Sequence, residues 1–229
     1  MLPLKDNIPS KRFPVVNVGI IVACVVVFLV QLSAGGGEQW AFKPAMLLPS
    51  TSPGLGPALT ALLLSMFMHG GLMHIAGNML FLWVFGDNIE DRMGHVKYLI
   101  FYLICGVIAT LSHSLVALAT GTAHMSLVGA SGAIAGVLGA YLVLFKHARI
   151  RTLIIFFFIT VVDLPASMFL VYWFIIQVFS IGAPTGVAYM AHVGGFAAGY
   201  LLVRVFADTS RPRPPSIPPP PRVMHLRIE

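Results

Sequence analysis

Residues 68–85 read MHGGLMHIAGNMLFLWVF. From Met79 onward the stretch is an unbroken apolar run of the kind a bilayer accepts. Residues 68–78 set two histidines, an asparagine and a pair of adjacent glycines into the same run. Polar groups at membrane depth are costly, so each of them needs a partner or a task. The rest of the chain decides whether membrane is the right solvent. Of 229 residues, 58% are apolar and 10% charged, against roughly 45–50% and about 25% in soluble globular domains. The mean hydropathy of +0.89 leaves too little polar surface to cover a water-soluble body of this size. Disorder of the whole chain is excluded, because it requires low hydrophobicity and high charge. A disulfide-stapled secreted domain is excluded as well, since the two cysteines, Cys24 and Cys105, each lie within an apolar run. The composition is that of an integral membrane protein.

Crossing the hydrocarbon takes roughly 20 apolar residues, and working outward from residue 68 gives six candidate spans. They cover about 17–33, 59–85 (broken by His69, Gly70, Gly71, His74 and Asn78), 98–118, 129–145, 166–181 and 186–206. The run 153–181 is long for one helix and carries Asp163 and Pro165 in its middle. Proline biases the preceding residue toward extended geometry, so the fifth helix is placed after it, and TLIIFFFITVV becomes an extended or interfacial segment. With the N-terminus inside, thirteen of the fourteen lysines and arginines fall on the inner side and only Lys43 on the outer. A bias that complete orients the bundle with both termini in the cytoplasm, and a cell (inner) membrane is the expected location. The net charge of +6 is therefore topological information; without an interleaved aromatic platform it gives no reason to expect a nucleic-acid partner. Three regions result: a cytoplasmic head 1–14, a membrane domain 15–206 and a proline-rich, disordered tail 207–229.

Three polar clusters remain within the spans: MHGGLMHIAGN at 68–78, GASGAIAG at 129–136 and MAHVGGFAAG at 190–199. Spans two, four and six run in the same direction. At about 1.5 Å of rise per residue, Ser131 and His192 enter at depths differing by about one turn. If the second helix begins near Gly71, His74 enters at a similar depth, with Asn78 one turn below on the same face. A serine hydroxyl becomes nucleophilic when a base accepts its proton, and histidine is the usual base near neutral pH. His74, Asn78 and the backbone N–H of Ser131 are candidate donors to an oxyanion. Gly129 and Gly132 permit close backbone approach beside the serine. Gly195 and Gly199, in a small-xxx-small pattern, predict tight packing of the sixth helix on the fourth.

Together the HGGLMHIAGN, GDNIEDRMG, GASG and AHVGG segments, in this order on six spans, resemble the rhomboid intramembrane serine proteases from about Val15 to Phe206. The resemblance implies an all-α six-helix membrane bundle with an embedded first loop, here residues 34–58. It implies Ser131 as nucleophile, His192 as general base without a carboxylate, His74 and Asn78 as oxyanion donors and His69 as a supporting residue. Glu90 and Arg92 match a structural network on the cytoplasmic side, and the fifth helix a substrate gate. The substrates it implies are transmembrane proteins, and no cofactor. One departure stands out: the position one turn after the serine, often aromatic and packed on the base, is Ala135. The base must then be oriented from elsewhere, with Phe67, Met190 and Phe196 as candidates.

Two other classes compete. An inactive rhomboid-like protein would bind client helices without cutting them, although both dyad residues are present. A small transporter would need intramembrane charges or a repeat, and neither is visible. His69 and His74 lack the HExxH spacing of a zinc site, so no metal is expected. His95, His113, His124, His147 and His225 read as solvated, Gly77 and Gly136 as packing residues, and Met66, Met68, Met73 and Met79 as core filler.

Overall fold

The computed structural model describes residues 1–155 and 159–208. The first helix, α1 (Val15–Ser33), is followed by 3₁₀ turns at Glu38–Trp40 and Pro44–Leu47. The remaining helices are α2 (Leu55–Ser65), α3 (Leu72–Met93), α4 (His95–Ala119), α5 (Ser131–Phe145), α6 (Ala166–Phe179) and α7 (Tyr189–Phe206). Three of them, α1, α4 and α7, are each long and apolar enough to cross a membrane. The helices α5 and α6 are apolar but shorter, and α3 carries Asp87, Glu90, Asp91 and Arg92 in its last two turns. The expected second span is thus two helices, because the Gly70–Gly71 break lets α3 start afresh at Leu72, while α2 ends at Ser65. The proline-rich stretch from Thr209 onward, and Phe156–Phe158, lie outside the described residues.

A sheet accompanies the helical bundle. Strands β1 (Leu2–Asp6), β2 (Arg149–Ile155) and β3 (Ile159–Pro165) form an antiparallel order β1-β2-β3. Leu2 faces Leu153 and Asp6 faces Ile150, so the head that reads as a simple polar segment is folded back on the stretch leading into α6. Asp163 pairs across the hairpin with Arg151, Nε to Oδ1 at 3.1 Å. That pair is exposed and contributes little to stability.

The core is built by glycine. Helices α5 and α7 pack in parallel, with Gly195 against Gly132 and Gly199 against Gly136. A Cβ on Gly195 would lie 2.0 Å from the Gly132 carbonyl oxygen, and one on Gly199 1.9 Å from that of Gly136. Backbones this close gain dispersion contacts that larger residues would prevent, which matters where lipid removes the hydrophobic drive between helices. Gly132 also receives Ala109 of α4, and Gly136 receives Cys105. Gly77 differs from expectation, because a Cβ there would meet open space. Met66 and Met68 are buried, but Met73 is exposed.

Two polar ties hold the ends. At the sheet-bearing end, the buried Glu90 carboxylate accepts the backbone N–H groups of Val16 and Asn17 at 2.9 and 2.7 Å. These are unpaired donors of the first turn of α1, and the negative charge also complements that helix's dipole. His95 Nδ1 bonds the same carboxylate, so His95 is not simply solvated as expected. The Arg92 guanidinium donates to the Asp208 carbonyl at 3.0 Å. At the other end the first loop is pinned to the α4–α5 connection: Leu127 N–H donates to the Phe42 carbonyl at 2.8 Å and Ala45 N–H to that of Ala123 at 2.9 Å. Phe42 is fully buried beneath it.

Candidate active site

Ser131 is the first residue of α5, and His192 lies in the first turn of α7. Because the glycine faces bring these helices together in parallel, the two side chains meet. The Ser131 hydroxyl lies 2.8 Å from His192 Nε2. The other ring nitrogen, Nδ1, lies 2.8 Å from Oε1 of Gln177, on α6. Gln177 Nε2 in turn donates to the Trp173 carbonyl at 3.1 Å. A carbonyl can only accept, so the amide is oriented with its oxygen toward the imidazole. That makes Nδ1 the protonated nitrogen of the neutral ring and leaves Nε2 free to accept the serine proton. His192 is otherwise boxed by aromatic rings, with the Trp173 centroid at 5.8 Å and the Tyr189 centroid, edge-on, at 6.2 Å.

His74 reaches the same place from α3. Its Nδ1 accepts the Gly70 N–H at 3.4 Å, which puts the proton of the neutral ring on Nε2, as a donor. A Cβ added to Gly129 would lie 3.0 Å from His74 Nε2 and 3.5 Å from the Ser131 hydroxyl, so the glycine keeps open the space that both atoms border. Its φ of +133° belongs to a backbone region that favours glycine, and its N–H is held by the Ser65 carbonyl at 2.9 Å. Asn78 lies one turn below His74, and its amide nitrogen is buried with no hydrogen-bond partner among the described residues. An unpaired buried donor costs free energy, and a developing negative charge on a bound substrate would offset that cost. The N–H groups at the start of α5 add to the positive potential there.

His69 stands behind His74, with ring centroids 5.3 Å apart and edge to face. It is held by a reciprocal pair with Gln31 of α1: His69 N–H to Oε1 at 3.0 Å and Nε2 to the His69 carbonyl at 3.2 Å. Its Nδ1 donates to the Phe67 carbonyl at 3.2 Å. Gly132, Gly195 and Gly199 lie in the helix seam and not at the reacting atoms.

The contacts around His192 run to other residues than the three expected to orient it: Gln177, Trp173 and Tyr189 surround the ring. Phe67 supplies a carbonyl to His69. Phe196 stacks on Trp173 and Phe174, and Trp173 in turn lies against His192. Gln177 and Trp173 contact it instead, both from α6. The available signal was the amide side chain in MFLVYWFIIQVF, residues 168–179.

The rhomboid-domain family model matches residues 56–209. The chain belongs to the rhomboid family. Similar curated proteins include the mitochondrial presenilin-associated rhomboid-like protein of Bos taurus, 40% identical over 91 residues, which are 40% of this chain and 24% of that protein. RHOMBOID-like protein 1 of Arabidopsis thaliana is 34% identical over 149 residues, 61% of this chain and 32% of that one. This rhomboid thus aligns with only about a quarter to a third of the length of those relatives. Family and apolar helices together make it an integral membrane protein.

Proposed function

We propose that this rhomboid chain is a serine endopeptidase that hydrolyses peptide bonds in or near the transmembrane segments of other proteins. The observation that carries the reading is the 2.8 Å contact between the Ser131 hydroxyl and His192 Nε2, in the tautomer that leaves Nε2 an acceptor. Ser131 Oγ attacks the carbonyl carbon as His192 takes its proton. The carbonyl oxygen becomes an oxyanion facing His74 Nε2–H, the Asn78 amide and the Ser131 backbone N–H, and such donors are typically the largest source of rate enhancement in acyl transfer. The C–N bond then breaks, and the proton on His192 passes to the departing amine. Water attacks the serine ester with His192 again as base, which releases the acid product and restores the hydroxyl.

Access limits the substrate. A helical amide is shielded by its own hydrogen bonds, so cleavage sites should carry small or helix-breaking residues that unwind at low cost. The proposed orientation puts both termini in the cytoplasm and the site near the outer face, where water can enter.

The test is fluorophosphonate labelling of the purified protein, comparing wild type with Ser131→Ala and His192→Ala. Labelling should be confined to wild type. Equal signal from all three sinks the assignment, and an unlabelled wild type favours a client-binding protein without catalysis.

A further inference from the structure

We infer that Gln177 is a positioning residue: it sets the tautomer of His192 and ties the readiness of the dyad to the seating of α6. The inference rests on the serine-endopeptidase reading and deepens it. Gln177 is the one side-chain amide in α6 (ASMFLVYWFIIQVF) and is buried. A buried amide in an apolar membrane helix is costly without partners, and here both ends of it are used. The nitrogen is committed to the Trp173 carbonyl, so the oxygen is committed to His192 Nδ1.

The consequence lies in which helix carries the acceptor. Ser131 and His192 sit on α5 and α7, which the glycine seam locks together. Gln177 sits on α6, which packs on α5 and α7 much less extensively than they pack on each other. Met168, Val171, Tyr172, Ile175 and Phe179 of α6 face outward. Aromatic contacts hold its inner face: Phe174 on Phe196 at 4.6 Å, and Phe169 and Trp173 near Phe81 at 6.3 and 6.5 Å. Displacing α6 from α7 leaves the Ser131–His192 pair in place but removes the oxygen that holds the proton on Nδ1. The ring is then free to carry it on Nε2, where the serine hydroxyl no longer finds an acceptor. A seated α6 thus arms the base, and a displaced one disarms it while leaving every dyad atom present.

The test uses the full-length protein in detergent, a small fluorophosphonate probe that needs no helix entry, and labelling rate as a function of pH. Gln177→Leu removes the acceptor at similar volume, while Gln177→Glu keeps an acceptor oxygen. Gln177→Leu should label about 10- to 100-fold slower, part of the roughly 10²–10⁴-fold that a positioned base supplies, with the midpoint of the pH curve moved to lower pH. Gln177→Glu should stay within about threefold of wild type, as expected if acceptor capacity is what counts, with the midpoint moved up. Gln177→Glu labelling no faster than Gln177→Leu overturns the inference, as does Gln177→Leu labelling at the wild-type rate. An unlabelled wild type instead removes the serine reading beneath it, so the two failures are distinguishable.

Discussion

Replacing Gly195 by alanine tests whether the helix seam, and not only the dyad, sets the chemistry. The added Cβ would sit 2.0 Å from the Gly132 carbonyl oxygen and 3.0 Å from its carbonyl carbon. The closest atoms are backbone and the next is the Ala109 Cβ at 3.3 Å, so no flexible side chain is there to yield. Relieving the contact to about 3.0–3.3 Å, near the closest normal C···O approach, requires α7 to retreat from α5 by about 1 Å. Gly195 is less than one turn from His192, and Gly132 is adjacent to Ser131, so little of that shift is lost before the reacting atoms. The 2.8 Å hydroxyl–imidazole contact becomes about 3.8 Å, beyond hydrogen-bonding range. A misplacement of about 1 Å costs roughly 10²-fold in rate, and overpacking costs about 1–3 kcal/mol of stability. The better helix propensity of alanine returns up to about 1 kcal/mol. Gly195→Ala is therefore expected to remain folded but to label with fluorophosphonate about a hundredfold more slowly. The control is Gly77→Ala, next to Asn78, where a Cβ meets nothing within 4 Å; it should label within about twofold of wild type. A Gly195→Ala protein with a wild-type labelling rate and an unchanged melting temperature would refute the seam argument.

Three other outcomes are expected. Asn78→Ala should lower kcat by about 10²–10³-fold with little change in KM, the usual cost of removing one oxyanion donor, and should leave the melting temperature in place because the amide nitrogen it removes is unpaired; unchanged turnover would take Asn78 out of the site. Glu90→Gln should lower stability by about 1–2 kcal/mol, the range of a lost helix cap, because the charge facing the first turn of α1 is removed; the check is thermal unfolding, and an unchanged midpoint would contradict the capping role. Burial pushes the Asp6 carboxyl up to about 6, against an ordinary value of 3.8 and despite the bond from Tyr141. A carboxyl whose folded value is raised stabilises the fold most below about pH 4 and loses that contribution as pH rises through about 6. Hydrogen exchange of the β1–β2 amides, corrected for intrinsic rate, should therefore show weaker protection at pH 8 than at pH 5 in wild type and a flatter profile in Asp6→Asn; a wild-type profile that is flat or runs the other way would refute it.

The helical frame was legible because lipid allows so few solutions. A run of apolar residues of fixed length, punctuated by basic residues, leaves little freedom in where helices lie. The convergence of Ser131, His192 and His74 followed from depth alone, as helices entering in one direction place residues of similar rank at similar level. The strands were less visible. Residues 149–165 are apolar enough to pass for helix, and only Pro165 argued for an extended segment. The partner of that segment begins at Leu2, a distance in sequence that no local pattern reports. Gln177 is hidden for a different reason: its meaning depends on which way one face of α6 points, and the 3.6-residue period is silent when nearly every position is apolar. The tie of His95 is equally hidden, because its contact with Glu90 needs the turn at Gly94, with φ of +80°, to fold α4 back beside the end of α3.

The β1–β2 pairing has a consequence for how the protein is made. Leu2 leaves the ribosome about 150 residues before Leu153, its partner. Until residues 149–155 are made, the backbone N–H and C=O groups of β1 have no ladder to join. The sheet therefore closes only after the residues of α1 to α5 have been made, and closing it draws the head against the strands that lead into α6. Nascent chains arrested before Arg149 should present the head to proteases, and chains released after Pro165 should protect it, so that protection of Leu2–Asp6 reports the late stage of assembly.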